Sequence, residues 1–140
     1  MKDFFVPGKP QGKGRARVVF NGKFVQSYTP EGTANYENLI KVCYLNAYEN
    51  SLTKNPIRLV ITAYYPIPNN FSRKKRILAV NKQIWPTTKP DVDNIAKVVC
   101  DALNKVAYYD DNQIVSLSVE KFYGEGPGLQ IQILEEMNNG

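Results

Sequence analysis

The sequence predicts an α+β fold: a single domain over residues 1–140, with a mixed, mostly antiparallel sheet and two main helices packed on it. Three observations carry this. The run IRLVITAYY at 57–65 is β-branched and continuous, as a buried strand should be. Two stretches place apolar residues at three- and four-residue spacing, and two alternating segments close the chain. A length of 140 residues suits one core of this kind.

Taken in order, a short apolar start (Phe4, Phe5, Val6) leads into PGKPQGKGRAR, whose glycines, prolines and cations predict a loop. RVVF and KFVQSY flank Asn21-Gly22, a dipeptide that supplies the positive φ angles of a two-residue β-hairpin turn. A helix then starts near Thr29 to Gly32 and ends by Asn50, with Tyr36, Leu39, Ile40, Cys43, Tyr44 and Ala47 on its apolar positions. After the 57–65 strand, residues 66–90 read as loop with a short helix from Ser72 to Asn81. A second long helix is predicted from about Asn94 to Val106, where Ile95, Val98, Val99, Ala102, Leu103 and Val106 form a regular stripe. IVSLSVEKFY and LQIQIL, joined by Gly-Glu-Gly-Pro-Gly, are expected to pair as an antiparallel hairpin.

Composition removes several function classes. The chain has no histidine, which excludes Ser-His-Asp triads, His-ligated zinc and HNH-type nucleases. Cys43 and Cys100 lie far apart without CxxC spacing, so they are expected as buried free thiols. No apolar run approaches the ~20 residues of a membrane span, and MKDFFVPGKP lacks a signal-peptide core. A cytoplasmic location is expected, with no membrane partner and no small-molecule cofactor.

The net charge of +5 is segregated. Residues 1–30 hold Lys2, Lys9, Lys13, Arg15, Arg17 and Lys23 against Asp3 alone; residues 66–90 hold Arg73, Lys74, Lys75, Arg76, Lys82 and Lys89 with no acid. Such clustering points to a polyanion-binding surface around a separate acidic centre. The basic stretches 9–17 and 73–76, with Lys89, are the candidates for gripping phosphate. For Trp85 and the tyrosines, core packing is the leading expectation and base stacking the alternative.

The acidic centre is KPDVDNIAKVVCDALN at 89–104. Pro90 disfavours helix at Lys89, so residues 89–93 are expected to be extended, with Asp91 and Asp93 on one face. Two carboxylates held close need a cation or a raised pKa, and a hard divalent ion with oxygen ligands answers that need. Helix capping is the plainer role for either aspartate. Lys97, one turn after Asp93, suits either an i,i+4 ion pair or an ammonium beside a metal. Asp101 is assigned to pairing with Lys97 or Lys105. Asp110 and Asp111 sit in a DDNQ stretch that is a common turn, but a fold-back there could bring a third carboxylate to the first two.

These residues also resemble a known family. KPDVDNIAKVVCDAL followed by YYDDNQIV is similar to the signature of RusA-type Holliday-junction resolvases: a basic residue, P-D-x-D-N-x-x-K, then D-A-L, then D-D-x-Q before a strand. The likeness is strong over residues 89–121 and looser at GKPQGKGRAR and the YTP of Tyr28 to Pro30; residues 35–85 match in general character alone. The resemblance implies a homodimeric, Mg²⁺-dependent endonuclease cutting four-way DNA junctions symmetrically. It places catalytic and metal-binding roles on Asp91, Asp93 and Asp111, an essential lysine at Lys97, and an adjacent acidic position at Asp110.

Overall fold

The computed structural model describes residues 1–14, 17–20, 25–28, 31–49 and 51–138, with backbone alone for 17–20, 25–28 and 31. Its strands and helices run β1 (Lys2–Pro7), β2 (Arg17–Phe20), β3 (Val25–Tyr28), α1 (Glu31–Tyr48), β4 (Ile57–Tyr65), α2 (Arg73–Val80), α3 (Val92–Leu103), β5 (Ile114–Tyr123) and β6 (Gly128–Glu135). Four strands make one mixed sheet in the order β1-β6-β4-β5, and β2 pairs β3 separately. The α+β expectation is met.

The sheet buries one face. Along β4 the residues Ile57, Leu59, Ile61, Ala63 and Tyr65 are buried while their neighbours stay partly wet, the period-2 signature of a strand covered on one side. Leu129, Ile131 and Ile133 of β6 join them, and so do Phe4 and Val6 of β1. Helices α1 and α3 pack on this face and on each other, through Tyr36, Ile40 and Tyr44 from one and Ile95, Val98, Val99, Ala102 and Leu103 from the other. The buried stripe of α3 is the regular one seen in its sequence.

Two pairings differ from expectation. The apolar start is a full edge strand, with Phe4 opposite Ile131 in antiparallel register with β6. More consequentially, β5 and β6 are not a hairpin: β4 lies between them, parallel to β5 and antiparallel to β6. The central place goes to the strand with the longest apolar run, which gains most from two neighbours. The connection at 124–127 crosses the end of β4, tied there by the Gly124 N–H donating to the Tyr65 carbonyl at 3.0 Å. Two strand spacings of ~4.8 Å are within reach of so short a segment. β2 and β3 pair as the hairpin expectation requires, but the Asn21-Gly22 turn lies outside the described residues.

Smaller departures concern side chains. Trp85 is 59% exposed, so it is not a core residue, and Tyr109 is also open to solvent, whereas Tyr36, Tyr44, Tyr65 and Tyr108 are buried. Both cysteines are free but only half-buried. Val115 and Leu117 of β5 face solvent at the sheet edge. Among the described residues no helix is long and apolar enough to cross a membrane.

Candidate active site

Helix α3 organises the acidic residues. It begins at Val92, two residues earlier than its apolar stripe suggests, with Asp91 as N-cap in extended conformation (φ −74°, ψ 159°). Asp93 is therefore the second helical residue, and strand alternation does not place the two carboxylates on one face. The Asp91 side chain makes no capping hydrogen bond. The fold uses its backbone instead, the Ile95 N–H donating to the Asp91 carbonyl at 3.1 Å.

The segment entering α3 is clamped from two sides. From the sheet, the buried Tyr65 hydroxyl donates to the Pro90 carbonyl at 2.5 Å. Burial, with Asp91 adding a smaller effect, raises the Tyr65 pKa well above its ordinary value, so the donor keeps its proton. Lys121 lies over the Tyr65 ring at 4.8 Å and donates to the Thr88 carbonyl at 2.7 Å. From the other side, the N-terminal loop approaches at Gly12, where an added Cβ would come within 2.8 Å of Asn94 Cβ and 3.0 Å of Pro90 Cβ. Glycine is required there by close approach. The next residue's N–H bonds the Asn94 carbonyl at 3.2 Å.

Lys13 is part of this docking. Its Nζ pairs with Glu37 at 2.5 Å and Asp101 at 3.0 Å. Burial pulls its pKa down, but the hydrogen bonds and charges of the two carboxylates outweigh that and hold it above the usual value. The ammonium expected to face phosphate thus joins α1 to α3 through the loop. Asp101 pairs with Lys13, not with Lys97 or Lys105, because the loop reaches it first. Lys97 makes no ion pair among the described residues, so the i,i+4 pairing with Asp93 is absent.

At the other end of α3 the chain turns through a short 3₁₀ segment, Asp111–Gln113. Asp110 is its N-cap, accepting from the Asn112 N–H at 3.0 Å. Gln113 completes a capping box and does more. Its Oε1 accepts from the N–H groups of Tyr109 and Asp110, while Nε2 donates to the carbonyls of Thr53 and Asn55. One side-chain amide therefore fastens the acidic turn to the segment that enters β4. Asp110 and Asp111 interact directly. The backbone donor and its neighbour lower the Asp110 pKa; the hydrogen bond to Asp110, slight desolvation and the negative charges of Asp110 and Asp101 raise that of Asp111.

The two ends remain apart. Asp101 lies ten positions after Asp91, about 15 Å at ~1.5 Å per helical residue, and Asp111 acts electrostatically on Asp101's end, where burial first, then Asp101 and Asp111, raise the Cys100 pKa. Among the described residues no three Asp, Glu, Cys or His side chains gather as a metal-binding group. The site is a row along α3, with Asp91 and Asp93 at its start and Asp110 and Asp111 past its end.

The basic residues distribute unevenly. Lys9 and Lys89 are exposed and line one cleft with Tyr65. Arg73, Lys74 and Lys75 are exposed and Arg76 half-buried on the first turn of α2, which carries no acid and is capped by Ser72. Cations at a helix N-terminus oppose the helix dipole, so this cluster favours an anion nearby. Arg15 and the Arg17 side chain lie outside the described residues.

Sequence reasoning missed Gly12, Tyr65, Gln113 and Lys121. Gln113 had a signal, a Gln three residues after an Asp as in a capping box; Tyr65 and Lys121 had none, since strand packing explains both equally well.

The family model described as endodeoxyribonuclease RusA matches residues 7–134. The chain is 36% identical over 135 residues to an uncharacterized protein, YqaN, of Bacillus subtilis (strain 168), covering 94% of each. It is 36% identical over 132 residues to crossover junction endodeoxyribonuclease rusA of Lactococcus phage r1t, covering 93% of this chain and 91% of that one. With the match running from the N-terminal loop through the last strand, the chain belongs to the RusA endodeoxyribonuclease family.

Proposed function

We propose that this protein resolves four-way DNA junctions by hydrolysing phosphodiester bonds, with Mg²⁺ held at the two ends of α3, by Asp91 and Asp93 at its start and by Asp111 with Asp110 past its end. One observation supports this most: in a chain of net charge +5, Asp91, Asp93 and Lys97 are left without an ion pair or side-chain hydrogen bond among the described residues. The helix dipole favours the two aspartates at the start of α3, but among the described residues no bond of the fold uses their side chains. The similarity to a phage protein named as a crossover junction endodeoxyribonuclease supports the choice of substrate.

The donors suit the ion. Magnesium takes hard oxygen ligands, typically one or two carboxylates with several waters and substrate phosphate. A pair of aspartates at each end of α3 meets that requirement without a three-carboxylate cluster. The Asp111 pKa is raised first by its hydrogen bond with Asp110, then by slight desolvation and by the charges of Asp110 and Asp101, a repulsion that a bound cation would offset. When bound, the ion would polarise the scissile phosphate and acidify water. Lys97, on the exposed side of α3 between the two pairs, supplies a charge for a phosphate oxygen or an orienting donor for water. Tyr65 and Gly12 hold the backbone that presents Asp91. Lys9, Lys89 and the α2 cluster grip phosphate, which positions the nucleic acid without reading its sequence.

A junction needs two matched cuts, and a C2 homodimer supplies two sites related by the junction's own symmetry. The test compares a four-way junction, a flap and a linear duplex, each with and without Mg²⁺. Paired cuts on the junction, dependent on Mg²⁺, are expected. Preferential cutting of the flap would move the substrate to another branched DNA. Cutting that persists after chelation would remove the metal from the reaction.

A further inference from the structure

Beside the start of α3 lies a cleft of about 580 Å³ that Lys9, Lys89 and Tyr65 share with Tyr123 and Asn69, two residues with no role so far. That volume falls within the ~300–1,000 Å³ of small-ligand sites. Its walls come from the end of β4 and the segment after it (Tyr65, Pro68, Asn69), from Tyr123 at the end of β5, and from Lys9 and Lys89. Two features give it chemistry. Both charged residues of its lining are lysines, and no carboxylate faces it. The remaining wall is two tyrosines, two prolines and Ile67, with Thr88 and the amide of Asn69 as its polar groups, which suits a flat heteroaromatic face with a polar edge. A third cation, Lys121, stands at the border, bonded to the Thr88 carbonyl and lying over the Tyr65 ring.

Location narrows the occupant. Lys89 is two residues before Asp91, and Tyr65, which lines the cleft, holds the Pro90 carbonyl through its hydroxyl. A DNA strand whose phosphate reaches Asp91 therefore passes its neighbouring nucleotide across this opening. We propose that the cleft receives the nucleotide next to the scissile phosphate, its base unstacked against Tyr123 and Pro68 with an edge toward Asn69, and its phosphate between Lys9 and Lys89. Base–aromatic stacking accepts any base, whereas the single amide would add a preference among them. The site would thus both hold the strand and bias where the cut falls. This rests on the junction-cutting reading above.

The experiment is an abasic scan crossed with two variants. Fixed-core four-way junctions carry one abasic nucleotide at successive positions around the cut. Metal-free binding and Mg²⁺-dependent cutting are both measured for wild type, Tyr123→Leu and Asn69→Ala. Asn69 is exposed, so its replacement leaves the core untouched should Tyr123→Leu fold poorly. For wild type, removing one particular base adjacent to the cut should weaken binding about tenfold, within the range of one base–aromatic stack. With Tyr123→Leu that penalty should shrink to less than about twofold. Asn69→Ala should keep the stacking penalty but flatten the preference among the four bases there. A wild type that cuts the junction with a flat abasic scan overturns the cleft alone, as does a penalty unchanged by Tyr123→Leu alongside a base preference unchanged by Asn69→Ala. A wild type that binds and cuts no junction overturns the cleft together with the substrate reading.

Discussion

The two ends of α3 present carboxylates by opposite means. At its start, Asp91 projects from a segment held by others: Tyr65 and Lys121 fix the preceding carbonyls, and Gly12 lets the N-terminal loop close over Pro90 and Asn94. The side chain itself is left unused. Past its end, Asp110 caps its own turn, and a single amide, Gln113, ties that turn to the segment before β4. The first end is built from long-range contacts across the fold, the second mostly from local ones. A carboxylate can thus be held in place without being consumed, provided backbone groups around it bear the contacts.

If that division holds, the largest effects come from the unused side chains. Asp91→Asn and Asp93→Asn should each reduce cleavage more than about a hundredfold, since removing a ligand should exceed the 10–100-fold cost of removing a ligand's support. Melting temperature and metal-free junction binding should scarcely change, because neither carboxylate supports the fold. Kinetics, thermal melts and binding on the same preparations check this. A melting point that falls with activity would make Asp91 a structural cap.

Second in size is Gly12→Ala. Its Cβ would sit 2.8 Å from Asn94 Cβ, between a loop and a helix that cannot both yield. Overpacking of this kind costs about 1–3 kcal/mol, and the displaced loop takes Lys13 from Glu37 and Asp101. A denaturation midpoint within error of wild type would mean that the loop moves freely and does not clamp α3.

How much of this was legible in the sequence divides along the same line. Local regularities were readable: the α3 stripe, the 57–65 strand and the short helix beginning near Ser72 all come from short-range patterns. The acidic residues were readable too, because carboxylates clustered at a helix mouth are unusual whatever surrounds them, but their arrangement was not: the expected fold-back would gather them, and among the described residues they lie in a row. What failed was long-range. The insertion of β4 between β5 and β6 depends on a competition for the sheet centre that no turn motif records. Lys13 looked like a phosphate ligand because its two carboxylate partners, Glu37 and Asp101, lie 24 and 88 residues further on. Asp91 and Asp93 were expected to alternate on a strand, but the helix starts at Val92.

A third variant probes the local end. Gln113→Ala removes an amide that satisfies two N–H groups and two carbonyls. Some of these groups are exposed and water can replace the amide there, so the loss should be about 1–2 kcal/mol, in the range of a helix cap. Cleavage should fall as well, because Asp111 loses its fixed turn. Gln113→Glu retains an acceptor for Tyr109 and Asp110 but loses the donor to Thr53 and Asn55. It should recover part of the stability and less of the activity if the tie to β4 is what places Asp111.

A smaller stability effect than that of Gln113→Ala, and the sharpest comparison with it, is expected from Tyr65→Phe. The ring stays, so the buried packing of β4 and the Lys121 contact over its face survive. Only the hydroxyl's bond to the Pro90 carbonyl is lost, worth about 0.5–1.5 kcal/mol. A purely structural bond would show as that change in the denaturation midpoint, with kcat unaltered. If the bond positions Asp91, kcat should fall several-fold, KM should hold, and the Mg²⁺ concentration for half-maximal cutting should rise, because a looser Asp91 binds the ion less well. Hydrogen exchange should sharpen the contrast: Tyr65→Phe should accelerate exchange at the first turn of α3 and spare Asp111–Gln113, and Gln113→Ala should do the reverse. Equal acceleration at both ends in either variant would mean that α3 responds as one rigid body and that its two ends are not held independently.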